Sequence, residues 1–284
     1  QLRFRNTLKQ FEELFPLIEN GLKDLWEDAR MGIAAHSLRA VSPDDLCNLA
    51  AEFTNMPFHL HISEQEKEVK NITKAYGVRP VEWLLKNLNI DPRWCLIHAT
   101  HMTDWETTAL AQSGAIVGLC PITEANLGDG VFNGTKFLKA DGVFGLGSDS
   151  NVNISLTEEL RTLEYSQRLV HKERNIMVKE IGSIGESLYL GAASGGAQAL
   201  GRPCGRISEG LLADLVAIDS SDPSLFALPN NQLLDGFVFA AKDKVVTDVW
   251  SAGRHQVRDG RHIAEAEIKK LFRKTMGNLR RRLI

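Results

Sequence analysis

PFHLHISE, residues 57–64, is a short, largely apolar run that ends on polar, ionisable groups. It reads as a buried strand whose last residues turn out of the core. The next stretch is helical: residues 66–88 keep a helical pattern with a break near Gly77. Moving outward, the same alternation recurs on both sides. MGIAAH (31–36), WCLIHAT (94–100), AIVGLC (115–120) and GVFGLGSD (142–149) read as further strands. Between and around them lie helices. One spans 8–29, with Leu8, Phe11, Leu14, Phe15, Ile18, Leu22 and Leu25 at helical spacing. Others span 42–53, started by the Ser42 cap and Pro43, and 103–113, capped by Thr103. The last two span 156–170 and 183–200, the latter rich in small residues and ended by Gly201.

Short apolar strands alternating with helices indicate a parallel sheet with helices outside it. The expected strand ends are His36, His61, His98, Cys120 and Asp149, at intervals that suit single βα units of about 30 residues. The expected fold class is therefore α/β, a (β/α)8 TIM-type barrel represented by five consecutive units, about strands 4–8. Composition changes after Gly201. Residues 204–263 hold short β-branched strands and Gly turns, and are expected to form a small β-sandwich subdomain beside the barrel of residues 1–203. Residues 264–284 read as a C-terminal helix. Its closing Arg280, Arg281 and Arg282 read as a solvated helix end, favourably placed on the macrodipole.

The 284 residues are 43% apolar and 24% charged, with a formal net charge of -3. That is an ordinary soluble composition, with no general reason to expect nucleic acid or membranes as partners. No apolar run approaches the ~20 residues of a membrane span. The N-terminus has neither the apolar core nor the cleavage site of a signal peptide, and it lacks Met, so it suggests a truncation or a processing point. Cys47, Cys95, Cys120 and Cys204 form no CxxC pair. They read as thiols in a reducing compartment, the cytoplasm, rather than as a zinc site.

Barrel enzymes carry their chemistry at the C-terminal ends of the strands. Here those ends carry His36, His61, His98 and Asp149, with Glu64 just beyond the strand that bears His61. Neutral imidazole is a good zinc ligand, and zinc takes His and Asp while leaving a position open for water. A carboxylate at the end of a buried strand needs a compensating cation or hydrogen bonds. His59 has the same side-chain parity as His61 and His101 lies in the loop after His98; neither receives a role. Two histidines, an aspartate and a glutamate at one barrel face form a plausible hydrolytic metal site.

Taken together, HLHISE, LIHATH and GLGSDS resemble strands five, six and eight of the amidohydrolase superfamily. With AHSLRAV and TEANLGDG added, the set resembles the formimidoylglutamate deiminases of histidine degradation, from about Arg5 to His262. The resemblance implies that His61 and Asp149 bind zinc, that Glu64 shuttles protons, and that His98 holds the attacking water or the tetrahedral intermediate. It implies that His36 and Arg39 bind substrate, the Arg fork suiting a carboxylate. The implied reaction converts N-formimino-L-glutamate to N-formyl-L-glutamate and ammonia. Related enzymes are commonly homodimers. Two alternatives stay open: deamination of a purine, pyrimidine or triazine, and a non-catalytic remnant serving as an interaction module.

The family also has a His-x-His metal pair on its first strand. His59-x-His61 is not that pair, because His61 and Asp149 are only 88 residues apart. Seven βα units need about 200. The chain is therefore expected to lack the first barrel strands and half of the zinc ligands. Weak zinc retention, little activity and an exposed barrel edge prone to pairing are the consequences.

Overall fold

Two sheets organise the chain in a computed structural model that describes residues 6–178 and 182–283. Residues 1–5, where the family resemblance begins, and residue 284 lie outside the described residues. The first sheet is parallel and runs in chain order through β1 (Ile33–Ala34), β2 (Phe58–Ile62), β3 (Trp94–His98), β4 (Ile116–Leu119) and β5 (Val143–Leu146). Consecutive parallel neighbours are the wall of a (β/α) barrel. Period-two burial sets the faces of β2: Phe58, Leu60 and Ile62 are buried, while His59 and His61 on the other face are half-exposed. Phe58, Leu60 and Ile62 join the main core with Leu46, Leu84, Trp94, Leu96 and Leu110. Each such side chain contributes about 1.5–3 kcal/mol on burial.

The helices start and stop where local chemistry directs. α1 (Leu8–Gly21) begins with a capping box between Thr7 and Gln10. It ends eight residues before the expected 29, at Gly21, a poor helix former, and a 3₁₀ turn (Leu22–Asp24) comes next. α2 (Pro43–Glu52) is capped by Ser42, with Pro43 in its first turn. α3 (Glu66–Tyr76) stops at Gly77 in the left-handed conformation, and α4 (Pro80–Asn87) restarts the helical run. α5 (Asp104–Gln112) carries the Thr103 cap. Two helices that the sequence pattern does not predict, α6 (Pro121–Leu127) and α7 (Gly134–Lys139), lie between β4 and β5. At two turns or fewer, they are too short to show a period. α8 (Leu156–His171) and α9 (Ile184–Ala199) close the series.

α9 explains its own small residues. A Cβ on Gly195 would overlap the carbonyl oxygen of Phe144 in β5, so helix and strand touch backbone to backbone. At its C-terminal end, Gln198 donates to the carbonyls of Pro92 (2.8 Å) and Gly114 (3.0 Å), which precede β3 and β4. Ala199 packs on Cys95 and Ile116. Its carbonyl accepts from His59 Nε2 at 2.8 Å, which leaves that imidazole satisfied. α9 thus covers the N-terminal end of the parallel sheet.

The second sheet is antiparallel: β6 (Leu215–Ile218), β7 (Val246–Ser251), β8 (Arg254–Arg258) and β9 (Arg261–His262). Its hairpins turn on Ala252-Gly253 and Asp259-Gly260, all four residues at positive φ, as a type I′ turn requires. The sequence pointed to a β-sandwich. The described residues form one layer of four strands, and every residue of β7 stays half-buried, as suits a single sheet. Residues 204–263 are also not all β. α10 (Leu233–Phe239) packs on α8 and α9, and Asp235 caps α9 by accepting from Gly185 N at 2.6 Å. Asp28 joins the small sheet to the chain before β1. Arg254 binds it with both terminal nitrogens (2.6 and 2.9 Å) and Arg202 adds a third contact at 2.9 Å. These guanidiniums, Arg254 first, hold its carboxyl far below the usual range. α11 (Glu265–Leu283) is solvent-exposed over residues 266–282. No helix among the described residues is long and apolar enough to cross a membrane.

Candidate active site

The C-terminal ends of β2, β3 and β5 bring their polar residues to one place. Ligand atoms of His61, His98 and Asp149 all lie within 4.8 Å of one another. The backbone arranges this by leaving the extended region just past each strand. His36, Ser63, His98, Ala99 and Asp149 all have positive φ, between 49° and 70°. A non-glycine residue there costs roughly 1–2 kcal/mol.

After β2, the buried carboxylate of Glu68 accepts from Ser63 N (3.1 Å) and Glu64 N (2.9 Å) and so fixes the turn that carries Glu64. Burial raises its pKa. Glu64 then points its two oxygens at different partners. Oε1 lies 3.8 Å from His98 Nε2, and Oε2 accepts from Arg39 Nη2 at 3.1 Å. Arg39, read from the sequence as a substrate residue, is thus ion-paired to Glu64 while still a third exposed.

His61 lies between two other imidazoles, its ring centroid 5.4 Å from that of His36 and 5.7 Å from that of His98. Its Nδ1 is 3.0 Å from the carbonyl of His36. A carbonyl only accepts, so Nδ1 carries the proton and Nε2 offers a lone pair, the form a metal needs. His36 contacts Ser37 Oγ at 2.8 Å through its own Nδ1. Its pKa is lowered by burial first, then by the charges of His61 and Arg39.

His98 is fully buried, with Nδ1 3.2 Å from Glu124 Oε1. Burial alone would lower its pKa. The hydrogen bond and charge of Glu124, helped by Glu64 and Asp149, outweigh burial and raise it. Glu159, on α8, is buried against this cluster. It accepts from Ile122 N at 2.9 Å, and its pKa is pushed up to about 7, by burial above all and by the charges of Glu124, Glu158 and Asp149.

A second group, His98, Cys120 and Glu124, also clusters within 4.8 Å. Its donors are already engaged. Glu124 Oε1 accepts from Cys120 N and faces His98, and burial raises the Cys120 thiol so that it keeps its proton. All four cysteines are free, and burial pushes Cys95 up to about 12. Two imidazoles and a carboxylate in the first group are the donor set that suits a catalytic zinc with room for water. His101 is not in that group: its Nε2 contacts the Asp129 carbonyl at 2.6 Å.

Of the residues singled out from the sequence, His61, His98 and Asp149 form the cluster, His36 lies beside His61, Glu64 lies beside His98, and Arg39 is paired to Glu64. Glu68, Glu124 and Glu159 received no role from the sequence. Glu124 was visible there, inside TEANLGDG and four residues past a strand end. Glu68 and Glu159 sit on helices, and only the packing reveals them.

A model of the amidohydrolase family matches residues 5–255. The formimidoylglutamate deiminase of Pseudomonas aeruginosa is 45% identical over 281 residues, a match covering 98% of this chain and 62% of that protein. The crystal structure of an amidohydrolase from Brucella melitensis superposes with a TM-score of 0.92 at 46% identity, covering 98% of this chain and 61% of that one. A zinc-bound structure described as an adenosine deaminase from Xanthomonas campestris superposes with a TM-score of 0.81 at 26% identity, over 94% of this chain and 62% of that one. The chain belongs to the amidohydrolase family, and it spans less than two thirds of the length of these relatives.

Proposed function

We propose that this amidohydrolase chain carries the reaction centre of a zinc-dependent deiminase that converts N-formimino-L-glutamate and water to N-formyl-L-glutamate and ammonia. The observation that carries the reading is the convergence of His61, His98 and Asp149 within 4.8 Å, with Glu64 3.8 Å from His98. The similarity to a formimidoylglutamate deiminase supports the substrate.

His61, through Nε2, and Asp149 would hold the zinc. When bound, zinc acts as a Lewis acid that makes water nucleophilic near neutral pH. The rest falls to the side chains. Glu64 takes a proton from the attacking water and passes it to the formimino nitrogen; it then carries the adduct's hydroxyl proton to the same nitrogen, the C–N bond breaks, ammonia leaves and the carbon keeps the new oxygen as the formyl carbonyl. His98, with its proton on Nδ1 toward Glu124, accepts through Nε2 from the attacking water and then from the hydroxyl of the tetrahedral adduct, and so holds the reacting oxygen in place. Arg39 and His36 line the approach. Substrate carboxylate competes for Arg39 with Glu64 Oε2, so binding substrate frees Glu64 for proton transfer.

Ammonia release from the zinc-loaded chain, with N-formimino-L-glutamate beside adenosine, 5-methylthioadenosine and a triazine, tests the reading. Release that favours the formimino substrate and disappears in Glu64→Gln is expected. Release from a ring substrate alone would reject the substrate assignment.

A further inference from the structure

The motif TEANLGDG (123–130) touches three neighbouring strand ends. Thr123 Oγ1 donates to the Ser148 carbonyl at 3.1 Å, next to Asp149. Asp129 Oδ1 accepts from Gln65 Nε2 at 2.8 Å, next to Glu64. Between these arms, Glu124 reaches under His98. Thr123, Glu124 and Asp129 are all buried. The segment is built as a bracket, with Glu124 at its centre.

We propose that Glu124 is a positioning residue: by accepting the Nδ1 proton of His98 it fixes the tautomer and the ring face that turn Nε2 toward Glu64 and the reacting oxygen. The donors and acceptors around the carboxylate require it. Glu124 Oε1 accepts from Cys120 N at 2.9 Å and lies 3.2 Å from His98 Nδ1. An oxygen that takes a backbone N–H is acting as an acceptor, so the ring nitrogen facing it supplies the proton. The other nitrogen, Nε2, then faces Glu64 Oε1 at 3.8 Å. A buried carboxylate behind a working histidine fixes ring orientation and proton position together. Among the described residues, Glu124 is the hydrogen-bond partner that Nδ1 has, so its removal leaves that side of the ring without a group to select either.

The catalytic benefit rests on the deiminase reading above, whereas the tautomer does not, and the test separates them. Protein labelled with ¹⁵N in its histidines gives long-range ¹H–¹⁵N correlations, and the His98 signals are those lost in His98→Gln. In the wild-type chain, at a pH where the ring is neutral, His98 is expected to carry its proton on Nδ1. In Glu124→Ala, or in Glu124→Met should the smaller side chain not fold, the proton is expected to move wholly or partly to Nε2. The same variants are expected to lose about 10–100-fold in kcat with KM nearly unchanged, the range for loss of such a supporting partner. A wild-type ring protonated on Nε2, or variants that keep the wild-type pattern, would overturn the proposal. Absence of ammonia release from every form would sink the deiminase reading and leave the tautomer result standing.

Discussion

The two ends of the parallel sheet are made from the same five strands and have opposite character. At the N-terminal end, α9 lies on β5 without a side chain between them at Gly195, and Ala199 seals against Cys95 and Ile116. At the C-terminal end, three carboxylates, Glu64, Glu124 and Asp149, act on His98, Glu159 is buried behind Glu124 and Asp149, and five residues have positive φ. One end is closed by apolar and backbone contact; the other is built from strained turns and clustered titratable groups. Stability and chemistry are thus segregated along the strand axis, so substitutions at the two ends should fail in different ways.

The largest effect is expected at the closed end. Gly195→Val would drive side-chain carbons into the Phe144 carbonyl, a backbone atom that cannot swing away. A loss of about 3 kcal/mol or more is expected, read as a large fall in Tm, with no soluble fold as the extreme. Unchanged Tm would break the contrast. At the open end, His61→Ala is expected to weaken zinc binding at least about a hundredfold, or ~2.7 kcal/mol, by calorimetric titration. Its metal-free Tm should fall only about 2–4 °C, since the fold loses one hydrogen bond, to the His36 carbonyl.

Glu159 sharpens the contrast through pH. Its pKa is raised in the folded protein from 4.5 to about 7, so the folded state favours the protonated form. Its stabilising share is full below about pH 4.5 and is lost as pH rises through about 7. Glu159→Gln, neutral throughout, should therefore stabilise the protein at pH 8 by about 1–3 kcal/mol and leave it unchanged at pH 4, in urea unfolding. A gain equal at both pH values would refute the charge account. The smallest effect concerns strain alone. Ala99, buried with φ 49°, replaced by Gly should gain about 0.5 kcal/mol in the same urea unfolding, the relief of the left-handed conformation less the entropy of glycine.

The parallel sheet was legible in the sequence because strand burial and strand-end polarity coincide. PFHLHISE shows both, and the polar residues lie at or within three residues of the ends of β2, β3 and β5. Two helices were legible from their caps: Ser42 and Thr103 each accept from the backbone N–H three residues on. α6, α7 and α10 were not, since six or seven residues cannot display a period. α10 lies in a stretch that otherwise reads as β-structure, and it is held by Asp235 and by packing on α9, which are tertiary facts. At the site, residues on strand ends were found and residues on helices were missed. A carboxylate such as Glu159 looks like any helical surface residue until the fold buries it.

X-ray absorption of the zinc-loaded chain tests the central claim most directly, because two donor groups share His98. Binding by His61 and Asp149, with or without His98, predicts only nitrogen and oxygen scatterers at ~2.0–2.2 Å, including imidazole. A sulfur scatterer at ~2.3 Å would mean a cysteine ligand, such as Cys120 of the second group, and contradict the account.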